Sequence, residues 1–179
     1  DTHTAGPGNA GNVTIQTGDL TAGGFFVPFI NSGTSGVNPG RGGDVTIAAH
    51  AIQVDSLAIT TGNFLAFLLG EGGAGTAGNV TISADSLQMS GNAQIVTDSA
   101  DFVSPIGTPG NITVNARSIN LDGTFFSSAG QQHGGAITII ADQLLANGST
   151  IATQTIDGVG GAITVVGKSV ELTNGSSFV

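Results

Sequence analysis

The feature that most constrains this chain is a five-residue phrase that recurs six times along it. The phrase reads Gly, any residue, Val or Ile, Thr, and Ile or Val, and it begins at the anchor glycines Gly11, Gly43, Gly78, Gly110, Gly135 and Gly161. Successive anchors are 32, 35, 32, 25 and 26 residues apart. Such periods are typical of solenoids, in which one unit cannot bury its apolar face and neighbours must stack. We therefore expect residues 1–179 to be one stacked segment.

Further apolar positions stay in step after each phrase. One set comprises Leu20, Ile52, Leu87, Ile119, Leu144 and Val170, and a later set comprises Val27, Ile59, Ile95, Phe126, Ile151 and Phe178. Their alternation with polar residues and turns predicts three short strands per repeat. The expected fold is all-β, a single-stranded parallel β-helix of about six coils. An antiparallel sandwich or barrel also uses regularly spaced short strands, but it does not predict the same residue type at the same place in every repeat.

Length variation is expected in one connection only. From the anchor glycine to the third-strand apolar residue every repeat takes 16 or 17 residues, and the remaining distance varies. Insertions on one face of a repeat protein often form its binding surface. The candidate interaction residues in this connection are Phe29, Ile30, Phe64, Leu65, Phe67, Leu68, Leu69, Phe102, Val103 and Ile106. They predict either an exposed apolar interface or a satellite cluster in which the loops pack on one another.

The threonine of each phrase should point outward between two buried apolar columns. We expect an outward ladder formed by Thr14, Thr46, Thr81, Thr113, Thr138 and Thr164. Stacked amides can hydrogen-bond along such an axis, so a second column is expected beside it, formed by Asn12, Asp44, Asn79 and Asn111 before Ala136 and Ala162. A hydroxyl ladder suggests binding of ice or another regular surface, and a solvated β face is the simpler interpretation.

Charge and composition exclude several classes of partner. The net charge is −9, and the cations are Arg41, Arg117 and Lys168. Nucleic-acid binding needs many Lys or Arg contacts with phosphates, so no nucleic-acid partner is expected. The longest apolar run, residues 64–69, is far shorter than the roughly 20 residues of a membrane helix, so no membrane insertion is expected. The chain has no cysteine, which excludes disulfides and thiolate metal sites.

The polar residues predict no catalytic, cofactor or metal site. Acid–base chemistry on sugars needs paired carboxylates, and the nearest approach to a pair, Asp98 and Asp101, is expected to flank a solvated turn. His3, His50 and His133 do not share a repeat position and show no metal-ligand spacing. We expect them in exposed loops or turns. The chain is therefore not expected to be an enzyme.

The phrases and the segments that trail them resemble a known family. The trailing segments read Ala-Asp-Ser-Leu at 84–87, Ala-Arg-Ser-Ile at 116–119 and Asn-Gly-Ser-Thr-Ile at 147–151. Together they look like the shaft repeats of filamentous-haemagglutinin-like exoproteins of bacterial two-partner secretion, cyanobacterial members in particular. The resemblance implies a right-handed β-helix, export across the outer membrane to the cell surface, and a role in adhesion or matrix building. It carries no catalytic residues.

The function expected from the sequence is that of a structural or adhesive shaft segment of a secreted or cell-surface exoprotein. Because neither end shows a cap, we expect the segment to belong to a longer stack. Its partners would be flanking coils of the same protein, other copies of itself in a fibre, or cell-surface and matrix glycans. The alternatives are a carbohydrate-active β-helix of the lyase or hydrolase kind, and a threonine-ladder binder of ice.

Overall fold

The computed structural model describes residues 1–5, 7–24, 27–35, 40–62, 75–99, 107–155 and 157–179. Their regular structure is entirely β, so none of them forms a helix that could span a membrane. In chain order the strands are β1 (Thr4–Ala5), β2 (Val13–Ala22), β3 (Phe29–Asn31), β4 (Thr34–Ser35), β5 (Val45–Asp55), β6 (Ala58–Thr60), β7 (Val80–Ser90), β8 (Gln94–Val96), β9 (Ile112–Asp122), β10 (Phe125–Ser127), β11 (Ile137–Asn147), β12 (Thr150–Ala152), β13 (Ile163–Thr173) and β14 (Ser177–Phe178).

The strands form two parallel sheets of six strands each. The long strands lie in the order β13-β11-β9-β7-β5-β2, and the short strands lie in the order β14-β12-β10-β8-β6-β3. Each strand pairs with its counterpart in the next repeat, as Val45 does with Val80 and Ile59 with Ile95. A small third sheet pairs β1 with β4. The all-β prediction is confirmed, and the parallel stacking is consistent with a β-helix or related solenoid.

The prediction of three strands per repeat is corrected to two, a long one and a short one. The first two predicted strands form one continuous strand. The backbone stays extended through the whole strand, but the alternation of buried and exposed side chains shifts partway along it. In the long strand β9 the buried side chains are those of Ile112, Val114, Ala116, Ile119 and Leu121. The interval of three between Ala116 and Ile119 leaves Arg117 and Ser118 both exposed. These two positions mark a corner at which the strand changes the direction of its inward side chains.

The third-strand residue predicted for the first repeat, Val27, is also corrected. Ile30 pairs with Ile59 in the short-strand sheet, whereas Val27 is 48% exposed. In later repeats the long and short strands are joined by two or three residues, as by Ser56 and Leu57, but the first repeat uses residues 23–28. The prediction that insertions fall in one connection is therefore wrong, since this turn is lengthened as well.

The anchor glycines stack so closely that no side chain fits between them. A Cβ built on Gly78 would lie 2.1 Å from the carbonyl oxygen of Gly43, and one on Gly43 would lie 2.2 Å from that of Gly11. Gly110, Gly135 and Gly161 meet the same obstacle from the preceding anchor. None of these glycines has a left-handed φ, so the requirement is steric. Glycine recurs because each anchor backbone rests directly on the one before it.

Side chains from both sheets form one apolar core. It is fully buried in the middle repeats, where Val80, Ile112 and Ile137 are 0% exposed. Each such residue contributes roughly 1.5–3 kcal/mol by its burial. At the two ends of the stack the equivalent residues are only partly covered, and Val170 and Leu172 of β13 are 45% and 43% exposed. The outer faces of the first and last repeats are therefore apolar surfaces.

Candidate functional site

The outward threonines lie in one column across the long-strand sheet. Parallel pairing joins Thr14 to Thr46, and continues through Thr81, Thr113, Thr138 and Thr164. Their side chains are exposed or half-buried. Two residues further along the strand the outward column is chemically mixed, comprising Gln16, Ala48, Ser83, Asn115, Ile140 and Val166. The hydroxyl ladder is thus a single regular column bordered by an irregular one.

The amide column beside the threonines bonds from each repeat to the next. The Oδ1 atom of Asn12 accepts from Asp44 N at 2.9 Å, that of Asp44 from Asn79 N at 2.8 Å, and that of Asn79 from Asn111 N at 2.9 Å. Asn111 accepts from the backbone of the following repeat at 2.8 Å. The side-chain oxygens therefore satisfy backbone donors just before each long strand. Amide-to-amide bonding, the expected role, is secondary.

A column of alternating acidic and basic residues occupies the corner of the long strands, and the repeated phrase gave no sign of it. The backbone register aligns Gly18, His50, Asp85, Arg117, Asp142 and Lys168. In the first repeat the adjacent Asp19 supplies the carboxylate. From the first repeat to the last, acidic residues therefore alternate with the basic residue types His50, Arg117 and Lys168. We call this set the corner column.

Short contacts join the members of the corner column in two groups, one that runs from Asp19 to Arg117 and one formed by Asp142 and Lys168. His50 Nδ1 lies 3.6 Å from Asp19 Oδ1, and His50 Nε2 lies 3.4 Å from Asp85 Oδ2. The other carboxylate oxygen of Asp85 is 2.6 Å from the Arg117 guanidinium. Lys168 Nζ is 2.9 Å from Asp142 Oδ1. These side chains are exposed, so each pair contributes about 0–1 kcal/mol. The column is better suited to selecting which repeat stacks on which than to stabilising the fold.

All three histidines are exposed as expected, but the predicted placement of His50 in a loop or turn is corrected. His50 lies within β5 and not in a loop. His3 and His133 are exposed outside the long strands. Aligning the repeats at the corner would have exposed the pattern, because Asp85 and Asp142 alternate there with His50, Arg117 and Lys168. Comparing the histidines only with one another does not reveal Asp19 and Asp85, the carboxylates in the repeats on either side of His50.

A buried hydroxyl column is the second feature that the sequence analysis missed. It lies two residues after the short-strand core residue and comprises Ser32, Thr61, Thr97, Ser128 and Thr153. Each hydroxyl donates to an anchor-glycine carbonyl, for example Thr61 to Gly78 at 2.6 Å and Thr97 to Gly110 at 2.8 Å. The recurrence of Ser or Thr at this position becomes visible in the sequence once Ile30 is taken, in place of Val27, as the short-strand core residue of the first repeat. At Gly78, which is buried, the Thr61 hydroxyl satisfies a carbonyl that would otherwise lack this partner.

Asp98 is half-buried, so its expected place in a solvated turn is wrong. Its Oδ1 accepts from Ala129 N at 2.7 Å and from Ser127 Oγ at 2.8 Å, which ties two repeats together. Burial raises the pKa of its carboxyl above the usual value of 3.8, and the bonds from Ala129 and Ser127 oppose that effect. Its expected neighbour Asp101 lies outside the described residues. Within the described part of the chain, no group of three acidic, His or Cys side chains could hold a metal ion.

Of the candidate interaction residues, only Phe29 and Ile30 lie in the described part of the chain. Both belong to β3. Ile30 packs against the core, so its assignment to an interaction loop is corrected, and Phe29 is 56% exposed. The residues outside the described ranges are Phe64, Leu65, Phe67, Leu68, Leu69, Phe102, Val103 and Ile106.

The fold and these columns define the class of the chain as a parallel, repeat-built β-structure. Comparison with family models, with curated proteins and with solved structures finds no match.

Proposed function

We propose that the chain is a shaft segment of a secreted or cell-surface exoprotein, built as a right-handed parallel β-helix of six coils. The observation that carries this proposal is the residue-for-residue stacking of six repeats in two parallel sheets. Such a stack extends in one direction only, at ~4.8 Å for each repeat. Six repeats then give a rod segment on the order of 29 Å long. A structure of this kind spaces or presents surfaces, which suits a structural or adhesive role.

The resemblance to filamentous-haemagglutinin-like shaft repeats supports the same proposal. The phrases that carry it coincide with the long strands, since Val80-Thr81-Ile82 begins β7 and Ile112-Thr113-Val114 begins β9. On this basis we propose export across a bacterial outer membrane by two-partner secretion. The proposed partners are flanking coils, other copies of the chain, and glycans of a cell surface or matrix.

The proposal is tested by separating binding from catalysis in one purified sample. Wells coated with cell-surface polysaccharides or matrix glycoproteins are incubated with the chain, and retained protein and released sugar are both measured. Saturable retention without release of reducing ends is the expected result. Release of reducing ends or unsaturated sugars would favour the carbohydrate-active alternative. If the wells neither retain the chain nor release sugar, the adhesive role is contradicted.

The threonine ladder favours a second candidate function, the binding of ice or another regular surface. It is favoured by six threonines in register, and it is weakened by the mixed column that starts at Gln16 and ends at Val166. Thermal hysteresis of ice growth measures it directly. The double substitution Thr81→Val and Thr113→Val should abolish any hysteresis if the ladder is responsible, because both lie in the middle of the column.

A further inference from the structure

The corner column is complementary to its own reversed order in the middle of the stack. His50, Asp85, Arg117 and Asp142 lie in four consecutive repeats, and each of these repeats has another stacked on both of its sides. When the four are read from Asp142 back to His50, every acid stands where the forward order has a basic residue type. A two-fold contact places a surface against its own reversed copy. The lateral face of the long strands is therefore suited to a second copy of itself.

We propose that two copies of this chain associate side by side through this face, with their stacks running in opposite directions about a two-fold axis level with the junction between β7 and β9. This deepens the proposed shaft function, on which it rests, by naming one partner and the geometry of the contact. Asp85 of each copy then faces Arg117 of the other, and His50 of each copy faces Asp142 of the other. Stacks that run parallel and in register would instead place Asp85 on Asp85 and Arg117 on Arg117.

The charged side chains of this face are accessible to a partner. Those of His50 and Arg117 are 73% and 74% exposed. Arg117 contacts Asp85 through one terminal nitrogen, and a guanidinium has five N–H donors, so donors remain for a carboxylate of the second copy. Asp142 contacts Lys168 through Oδ1, which leaves Oδ2 for the second copy. Because exposed ion pairs are individually weak, the alternation fixes the orientation of the two copies more than it supplies affinity.

The mixed column beside the corner column gives an independent indication of the same register. Ala48 and Ser83 are small, whereas Asn115 and Ile140 are larger, and Ile140 is 40% exposed. The same two-fold axis places Ala48 opposite Ile140 and Ser83 opposite Asn115. A shallow groove lies beside Ala48 and Ser83, and its lining includes Ala49, so the Ile140 side chain of the second copy has a place in which to be buried. Removal of that apolar surface from water favours association.

Disulfide cross-linking tests the register directly, because the chain has no cysteine of its own. Ala48→Cys and Ile140→Cys are oxidised separately and as an equimolar mixture, and the products are resolved by non-reducing electrophoresis. The proposed contact brings residue 48 of one copy opposite residue 140 of the other. Two copies of residue 48 lie three repeats apart, ~14 Å at the strand spacing, which is beyond the roughly 7 Å that a disulfide can span between Cα atoms.

The mixture should therefore cross-link, and neither variant should do so alone. Cross-linking of either variant with itself would overturn the two-fold arrangement, since residue 48 meets residue 48 only when the stacks run parallel. A mixture that does not cross-link would overturn the proposed register as well.

Charge reversal tests the acid–base pairing. Asp85→Arg and Arg117→Asp each place like charges at both symmetric contacts, so each variant alone should associate about tenfold more weakly than the original chain in sedimentation velocity across concentration. An equimolar mixture should recover association, because a dimer of one variant with the other joins opposite charges at both contacts. Asp157→Arg, at an exposed position outside the long strands, makes the same charge change as Asp85→Arg and should leave association unchanged. Far-ultraviolet circular dichroism confirms that each variant is folded.

General repulsion and glycan binding give different patterns, which keeps the test decisive. Asp85→Arg brings the net charge closer to zero and Arg117→Asp takes it further away, so non-specific effects on a chain of charge −9 would have opposite signs, whereas the proposal requires both variants to weaken association. A chain that stays monomeric at every concentration, or a mixture that does not recover association, would overturn it. A monomer whose retention on glycan-coated wells is lost in both variants would assign this face to a glycan instead. A monomer that both variants leave able to bind glycans would keep the shaft function and remove only this contact.

Discussion

Replacing an anchor glycine by alanine tests the stacking argument most directly, because the chain offers a matched control. Gly78→Ala places a methyl group where the carbonyl oxygen of Gly43 lies 2.1 Å away, whereas Gly11→Ala places one at ordinary contact distance. Both changes remove the same backbone freedom from the unfolded chain, which by itself stabilises by about 0.4–1 kcal/mol. That effect cancels between them. The difference in unfolding free energy therefore isolates the collision.

The magnitude follows from the contacts around Gly78. The two strands must separate by nearly 1 Å to bring the methyl group out to 3.0 Å, and overpacking of this kind costs roughly 1–3 kcal/mol. The same shift loosens the bond from Thr61 Oγ1 to Gly78 O at 2.6 Å and the bond from Gly78 N to Thr61 O at 3.4 Å. Each such bond contributes roughly 1 kcal/mol. We expect Gly78→Ala to be less stable than Gly11→Ala by roughly 3–5 kcal/mol.

Urea unfolding followed by far-ultraviolet circular dichroism measures the difference. The chain has no Trp or Tyr, so intrinsic fluorescence is a poor probe. Measurements belong at concentrations where the chain is monomeric, since self-association makes the apparent stability depend on concentration. Stacked repeats can also unfold in parts, so hydrogen exchange at Val80 and Ile112 should accompany the midpoint and report local opening. If the two variants unfold within 1 kcal/mol of each other, close stacking of the anchors is not what fixes glycine there.

Three further outcomes follow from single contacts. Thr61→Val should cost about 1–3 kcal/mol in urea unfolding because it leaves the buried Gly78 carbonyl unsatisfied, while Thr61→Ser should retain most of the stability; equal loss in both would contradict the role of the hydroxyl. Asn111→Ala should cost about 1 kcal/mol by removing the acceptor for Ala136 N, and Asn111→Asp should be milder, because Asp44 accepts the equivalent bond with a carboxylate; an equal cost would contradict this. Since burial raises the pKa of Asp98 in the folded chain, its contribution to stability is greatest below pH 3.8 and is lost as the pH rises through the raised folded value. Asp98→Asn should flatten that dependence in melts from pH 3 to pH 7, and an unchanged slope would refute it.

The repeat made most of the fold predictable. The all-β class and the two inward columns that begin with Val13 and Ile15 follow from period and alternation alone. The number of strands could not be predicted in this way. A corner within one continuous strand gives the same spacing of apolar residues as a turn between two strands. The position of Ile30 was missed because Val27 is also apolar and stood at the usual distance. Counting a fixed number of residues from the anchor glycine cannot detect a lengthened turn when another apolar residue happens to lie at the expected distance.

The surface was less predictable because each side chain at the corner has its partner in another repeat. Asp85 and Arg117 are 32 residues apart in the chain, yet they form the shortest contact of the corner column. Composition averages over columns, so a chain with only 8% charged residues gives no hint that two of its three Lys and Arg residues share one.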